Sequence, residues 1–173
     1  MKNVIFLDLD GPVFPSKIFM FEENRDPLNA IHCKKLGLHP FYDYWKADPY
    51  AVCAINKFID IYNVEIVLST SWADPQLNSK DVLINLFEAN GLTINFHKRW
   101  RTPRDKFKQR ELQIHQWLQE EPSEVNYVIL DDIQSGEGLV NPDPALKLKN
   151  IFLIDPVEGL KYQEYLDILK KFQ

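Results

Sequence analysis

The chain has 173 residues, 45% of them hydrophobic and 26% charged, which supplies one core of ordinary size and excludes a disordered or fibrous chain. No stretch approaches the roughly 18 apolar residues of a membrane span. No signal-peptide pattern precedes the first strand, and Cys33 and Cys53 are too few for a disulfide framework, so a reduced cytoplasmic setting is expected.

The net charge of −5 is unevenly spread. Lys98, Arg99, Arg101, Arg104, Lys106, Lys108 and Arg110 face only Asp105 among the acids of that segment, which carries +6 against −11 for the remainder. A basic strip on an acidic protein points to an anionic substrate at one place.

In chain order, Lys2 to Leu9 reads as a strand. Val4, Ile5, Phe6, Leu7 and Leu9 form a nearly continuous apolar run, as in a strand buried on both faces of a parallel sheet. Asp8-Leu9-Asp10-Gly11-Pro12 ends it, with two carboxylates where open α/β sheets place their chemistry. Two close carboxylates repel unless a cation or proton lies between them, and a hard ion such as Mg2+ suits the pair. A turn that simply favours Asp and Gly is the plainer account of the same residues.

Residues 13–48 form a long irregular flap with one or two short helical turns expected. It is rich in aromatics (Phe14, Phe19, Phe21, Phe41, Tyr42, Tyr44, Trp45) that either stack on a substrate base or pack the flap onto the body. Asp48-Pro49 starts a helix running to about Tyr62. Val64–Leu68 is the second strand, followed by Ser69-Thr70-Ser71-Trp72. Those three hydroxyls can donate to an anion, although taken alone local turn chemistry is the simpler account. A helix through Leu83 and Phe87 ends at Asn90-Gly91, and Leu92–Phe96 is the predicted third strand.

Thr102-Pro103 is the predicted start of a helix to about Gln119, with Phe107, Ile114, Trp117 and Leu118 inward. Arg110 falls on that inward stripe and needs a partner: a structural ion pair, a phosphate or a catalytic carboxylate. Lys106, one turn earlier, competes for the same role. Val125–Leu130 is the fourth strand, ending in Asp131-Asp132. A loop from Gln134 to Pro144, a strand Asn150–Ile154 and a helix Leu160–Phe172 close the chain.

Strands alternating with helices imply right-handed crossovers and a parallel sheet. Polar groups at the strand ends come in the order Asp-x-Asp, Ser/Thr, Lys/Arg, Asp-Asp. With VIFLDLDGP, EIVLSTSW, the basic residues ahead of the fourth strand and YVILDD, the sequence resembles the haloacid dehalogenase (HAD) superfamily of phosphohydrolases. LSTSW, RELQIHQWL and YVILDD together resemble more narrowly the small HAD domains of RNA-repair proteins. Ala73 stands where such domains usually carry an arginine, so any role of that arginine is absent or supplied elsewhere.

The resemblance implies a single three-layer, Rossmann-like α/β domain over residues 1–173, with a five-stranded parallel sheet in the order 5-4-1-2-3, a short flap and no large cap. It implies a Mg2+-dependent phosphatase working through an aspartyl-phosphate. Asp8 is then the nucleophile and Asp10 the general acid and base, Asp10 also lending its backbone carbonyl to Mg2+. Asp131 binds the metal, and Asp132 binds through water or positions Asp131. Ser69 hydrogen-bonds the phosphoryl oxygens, and Arg110 or Lys106 takes the place of the family's lysine.

Gly11, Thr70, Ser71, Lys98, Arg99, Trp100 and Arg101 are the expected substrate contacts, with a nucleotide or polynucleotide end as the expected partner and Trp100 stacking on a base. Two other readings stay open: a non-catalytic nucleic-acid-binding domain, and a phosphatase of small metabolites such as sugar phosphates. A receiver-like switch uses similar groups in the reverse order along the chain.

Overall fold

The computed structural model describes residues 1–21, 24, 46–74, 78–104, 109–132 and 139–173. Five strands, β1 (Lys2–Leu7), β2 (Glu65–Leu68), β3 (Phe96–Arg101), β4 (Val125–Asp132) and β5 (Ile151–Ile154), form one parallel sheet ordered β3-β2-β1-β4-β5. This is the expected order read from the other edge. The helices are α1 (Pro49–Tyr62), α2 (Lys80–Ala89), α3 (Arg110–Glu120) and α4 (Tyr162–Phe172), with 3-10 turns at Ser16–Met20, Ser71–Ala73 and Pro144–Leu146.

Side-chain alternation along β1 divides the core. Ile5, Leu7 and Leu9 face α1, α2 and α4, meeting Ile55, Phe58, Leu83, Phe87, Ile168 and Phe172. Val4 and Phe6 face α3, where the fully buried Trp117 meets Phe6 edge-on at 5.1 Å. Each such side chain stabilises the fold by about 1.5–3 kcal/mol through burial. Right-handed crossovers explain the partition. The chain moves outward from β1 to β3 with α1 and α2 on one face, then returns to β4 with α3 on the other. The winding therefore reverses between β1 and β4, which opens a crevice at their carboxyl ends.

Two boundaries differ from the sequence reading. The third strand is Phe96–Arg101, not Leu92–Phe96. Ile66 donates to the Asn95 carbonyl, and an irregular register then pairs Leu68 with Arg101, so the basic segment itself is the strand. It forms an edge of the sheet, where charged side chains are tolerated because solvent is close. The following helix starts at Arg110, not near Pro103. The Thr102 amide continues the sheet by donating to Leu68, and its hydroxyl donates to Gln113 Oε1 at 3.1 Å, so Thr102 is not an N-cap. Residues 105–108, including Lys106 and Phe107, lie outside the described residues.

In the described part of the flap, Phe14 and Phe21 pack on the core, which favours packing over stacking for both, whereas Phe19 is exposed. Asn24 joins the two sides of the flap. It donates to the carbonyls of Ile18 and Lys46 and accepts from the Lys46 amide at 2.7 Å. Phe41, Tyr42, Tyr44 and Trp45 lie outside the described residues.

Candidate active site

The site begins where β1 stops. The Asp8 amide still pairs with the Leu130 carbonyl at 2.8 Å, so Asp8 is held in the sheet beside β4, and its Oδ1 accepts from the Leu9 amide. On β4, Asp131 and Asp132 remain in register with Leu153 and Ile154 of β5, and Asp131 Oδ1 accepts from the Asp132 amide at 2.9 Å. Asp8, Asp131 and Asp132 are all buried, and a carboxylate oxygen from each lies within 4.8 Å of the other two.

The turn after β1 requires glycine. Gly11 has φ +80°, and a Cβ there would come within 2.6 Å of Asp132 Cβ. The expected substrate contact at Gly11 is thus, in this structure, a close approach that lets the two acidic turns meet.

Arg110 enters this cluster from the first turn of α3. It is 3% exposed, and its Nη1 lies 3.5 Å from both Asp8 Oδ1 and Asp131 Oδ2. Of the alternatives for a cation on that stripe, the structure gives it two carboxylates. Burial raises the Asp8 pKa well above the ordinary carboxylate range; Arg110 opposes this, while Asp131 and Asp10 add to it, and a Thr70 side-chain hydrogen bond lowers it. Such a group of buried acids fits a divalent cation with oxygen ligands, because a cation relieves both the burial and the mutual repulsion.

Asp10 stands apart from the three. It is exposed as a residue, but its Oδ2 accepts from Trp72 Nε1 at 2.9 Å. Burial of its carboxyl raises its pKa, Trp72 and Arg110 lower it, and Asp132 raises it. At the end of β2, the Ser69 amide bonds to Leu7, and Ser69 Oγ is buried with no hydrogen-bond partner among the described residues. Thr70 caps the Ser71–Ala73 turn by accepting from the Trp72 amide, and Ser71 is half-buried at the first position of that turn.

The basic residues of β3 separate. Arg99 turns toward the far end of α3, donating to the Trp117 carbonyl and to Glu120 Oε2 at 2.6 Å. Arg99 is therefore not brought together with the acidic cluster, since α3 runs from Arg110 at that cluster to Glu120 at the opposite end of the sheet. Arg101 reaches the Ala73 carbonyl beside the site, and Lys98 is exposed. Trp100 is half-buried; the Arg101 guanidinium lies 5.2 Å and the Lys80 ammonium 6.0 Å from its ring centre. Lys80 and Trp72 were not singled out as site residues from sequence. The contact of Lys80 depends on α2 packing beside β3, which no local pattern announces. The place of Trp72, next to three hydroxyls at a strand end, was a usable signal.

Residues 4–164 match the model of a family described as the HAD domain in Swiss Army Knife RNA repair proteins. Among solved structures, the chain is similar to the HAD domain of the effector protein Lem4 from Legionella pneumophila, at 18% identity and a TM-score of 0.56, covering 99% of this chain and 96% of that one. An inactive mutant of the same domain gives 18% identity and a TM-score of 0.57, covering 100% and 95%. No curated relative matches the chain.

Proposed function

Because the chain belongs to the family of HAD domains found in RNA-repair proteins, we propose that it is a Mg2+-dependent phosphomonoesterase acting on nucleotides or nucleic-acid ends through an aspartyl-phosphate. The observation that carries this reading is the meeting of Asp8, Asp131 and Asp132 within 4.8 Å beside the buried Arg110. Those three side chains and the Asp10 carbonyl would hold the ion. When bound, Mg2+ supplies positive charge against the transferring phosphoryl oxygens.

The protein's own groups divide the work. An Asp8 oxygen attacks phosphorus; the bond to the ester oxygen breaks, and that oxygen leaves with its electron pair and takes a proton from Asp10. A water then attacks the aspartyl-phosphate. Its proton passes to Asp10, and Asp8 departs as a carboxylate. Arg110 serves as the cation for the phosphoryl oxygens in this reading, as its Nη1 lies 3.5 Å from Asp8 Oδ1. The buried Ser69 hydroxyl is a donor for the same oxygens, and one such contact is worth about 3–4 kcal/mol in the barrier.

Support for a nucleic-acid end comes from the family and from Lys98, Trp100 and Arg101, which follow one another on the edge strand that ends beside Ala73. Thr70 and Ser71 follow β2 at the same end of the sheet. The test is phosphate release from an aryl phosphate and from 3′- and 5′-phosphorylated oligonucleotides, with Mg2+ and with chelator. Asp8→Asn is expected to abolish release. Undiminished turnover in that variant would reject the assignment. Salt-sensitive oligonucleotide binding with no turnover of any ester would make the protein a binding domain instead.

A further inference from the structure

The indole of Trp72 is held more firmly than the acid it touches. Trp72 is 3% exposed, and its ring stacks on Phe14 with centroids 5.0 Å apart and planes inclined by 18°. Its amide donates to Thr70 Oγ1, and its carbonyl accepts from Asn78 Nδ2 at 3.0 Å. Phe14 is fixed in turn, because its amide donates to the Leu9 carbonyl and its own carbonyl accepts from Gly11. The turn after β1 and the turn after β2 are thereby locked together through one ring pair. From that frame Nε1 donates to Asp10 Oδ2 at 2.9 Å.

We infer that Trp72 is a positioning residue that fixes which oxygen of Asp10 carries the transferred proton. An indole N–H is a donor only. The unprotonated oxygen of a carboxyl group is its stronger acceptor, so the indole holds Oδ2 in that state, and the exchangeable proton is placed on Oδ1 in both half-reactions. Without the indole, the Asp10 carboxyl is free to rotate about its last torsion, which is broad and two-fold, and half of its orientations present the wrong oxygen to the leaving group. This inference rests on the proposed phosphomonoesterase reading, in which Asp10 protonates the leaving oxygen.

The test uses leaving-group dependence, which a merely structural role would not move. Trp72→Phe keeps a ring against Phe14 and removes the N–H. For an alkyl phosphate, whose alkoxide leaves poorly without a proton, kcat/KM is expected to fall about 10- to 100-fold, part of the range for general acid catalysis. For p-nitrophenyl phosphate, whose phenolate leaves unaided, the fall should stay within about 3-fold on the same basis. In an Asp10→Asn background the same change should add nothing to the alkyl-to-aryl ratio.

Equal losses on both esters, or no loss on either, would overturn the inference. If Trp72→Phe does not fold, benzothienylalanine at position 72 replaces only the N–H with sulfur and gives the same reading. Failure of the wild-type protein to hydrolyse either ester overturns the underlying reading instead, so the two failures are distinguishable.

Discussion

The two ends of the sheet both bury charge, and they do so differently. At the amino end, Lys2 pairs with Glu65 at 3.3 Å, Arg99 with Glu120, and His97 Nε2 lies 3.5 Å from Glu65 and 3.7 Å from Glu121. Acids and bases alternate there, and each carboxylate has a cation or an imidazole near it. At the carboxyl end the carboxylates of Asp8, Asp10, Asp131 and Asp132 gather, and Arg110 lies 3.5 Å from Asp8 and from Asp131. The amino end is a structural network whose charges compensate one another. The carboxyl end instead gathers buried acids around one place, and burial makes it costly to keep them all charged side by side. Such a gathering of buried acids suits an external cation and a reacting group.

The largest effect should come from emptying the acidic end of its ligands. Asp131→Asn is expected to abolish phosphate release. It should also remove the rise in unfolding temperature that saturating Mg2+ gives the wild type, a rise worth about 2.7 kcal/mol when the ion is at a hundred times its Kd. A Mg2+ shift that persists in Asp131→Asn would place the ion elsewhere.

Next comes the buried cation beside these acids. Arg110→Met should lower kcat/KM by about 10^2- to 10^3-fold and stability by about 3–5 kcal/mol, because it takes a cation away from buried carboxylates. Denaturation and steady-state kinetics on the same preparation check both numbers. A variant as stable as the wild type would remove the contrast between the two ends.

The smallest effect belongs to the amino end. Burial lowers the His97 pKa below its ordinary 6.5, and the carboxylates of Glu65 and Glu121 oppose this, with Lys2 adding to the lowering. The group whose folded pKa is depressed contributes stability that is complete above pH 6.5 and is lost as pH falls through the folded value. Glu121 adds its own loss below its ordinary 4.5. Burial would raise its pKa, but Ser123, His97, Lys98 and Arg99 together bring it down. Stability should therefore decline as pH falls below 6.5, and less steeply in His97→Gln, whose kinetic constants at pH 7.5 should match the wild type. A change of kcat in that variant would show that the two ends communicate.

Much of the acidic end was legible before any coordinates. Asp8, Asp10, Asp131 and Asp132 each follow an apolar run, and an apolar run in a parallel sheet declares both the strand and where it stops. Arg110 was legible as a cation on an apolar helical face. The place of Arg99 was not legible, since seven basic residues within a few turns of chain look like one surface. On an edge strand, neighbouring side chains leave in opposite directions, and the bulge between Ile66 and Leu68 re-aims them.

The local patterns alone determined four of the five strands, the acids at their ends and the order of the chemistry along the chain, because periodicity and turn residues act over a few positions. Only the tertiary structure decided which groups share a site. It set Asp8 beside Asp131 across the reversal of winding, placed a tryptophan indole on Asp10 and sent Arg99 to the far end of α3. Those meetings join residues from about 20 to over 120 positions apart, and they depend on crossover handedness and packing rather than on any local pattern.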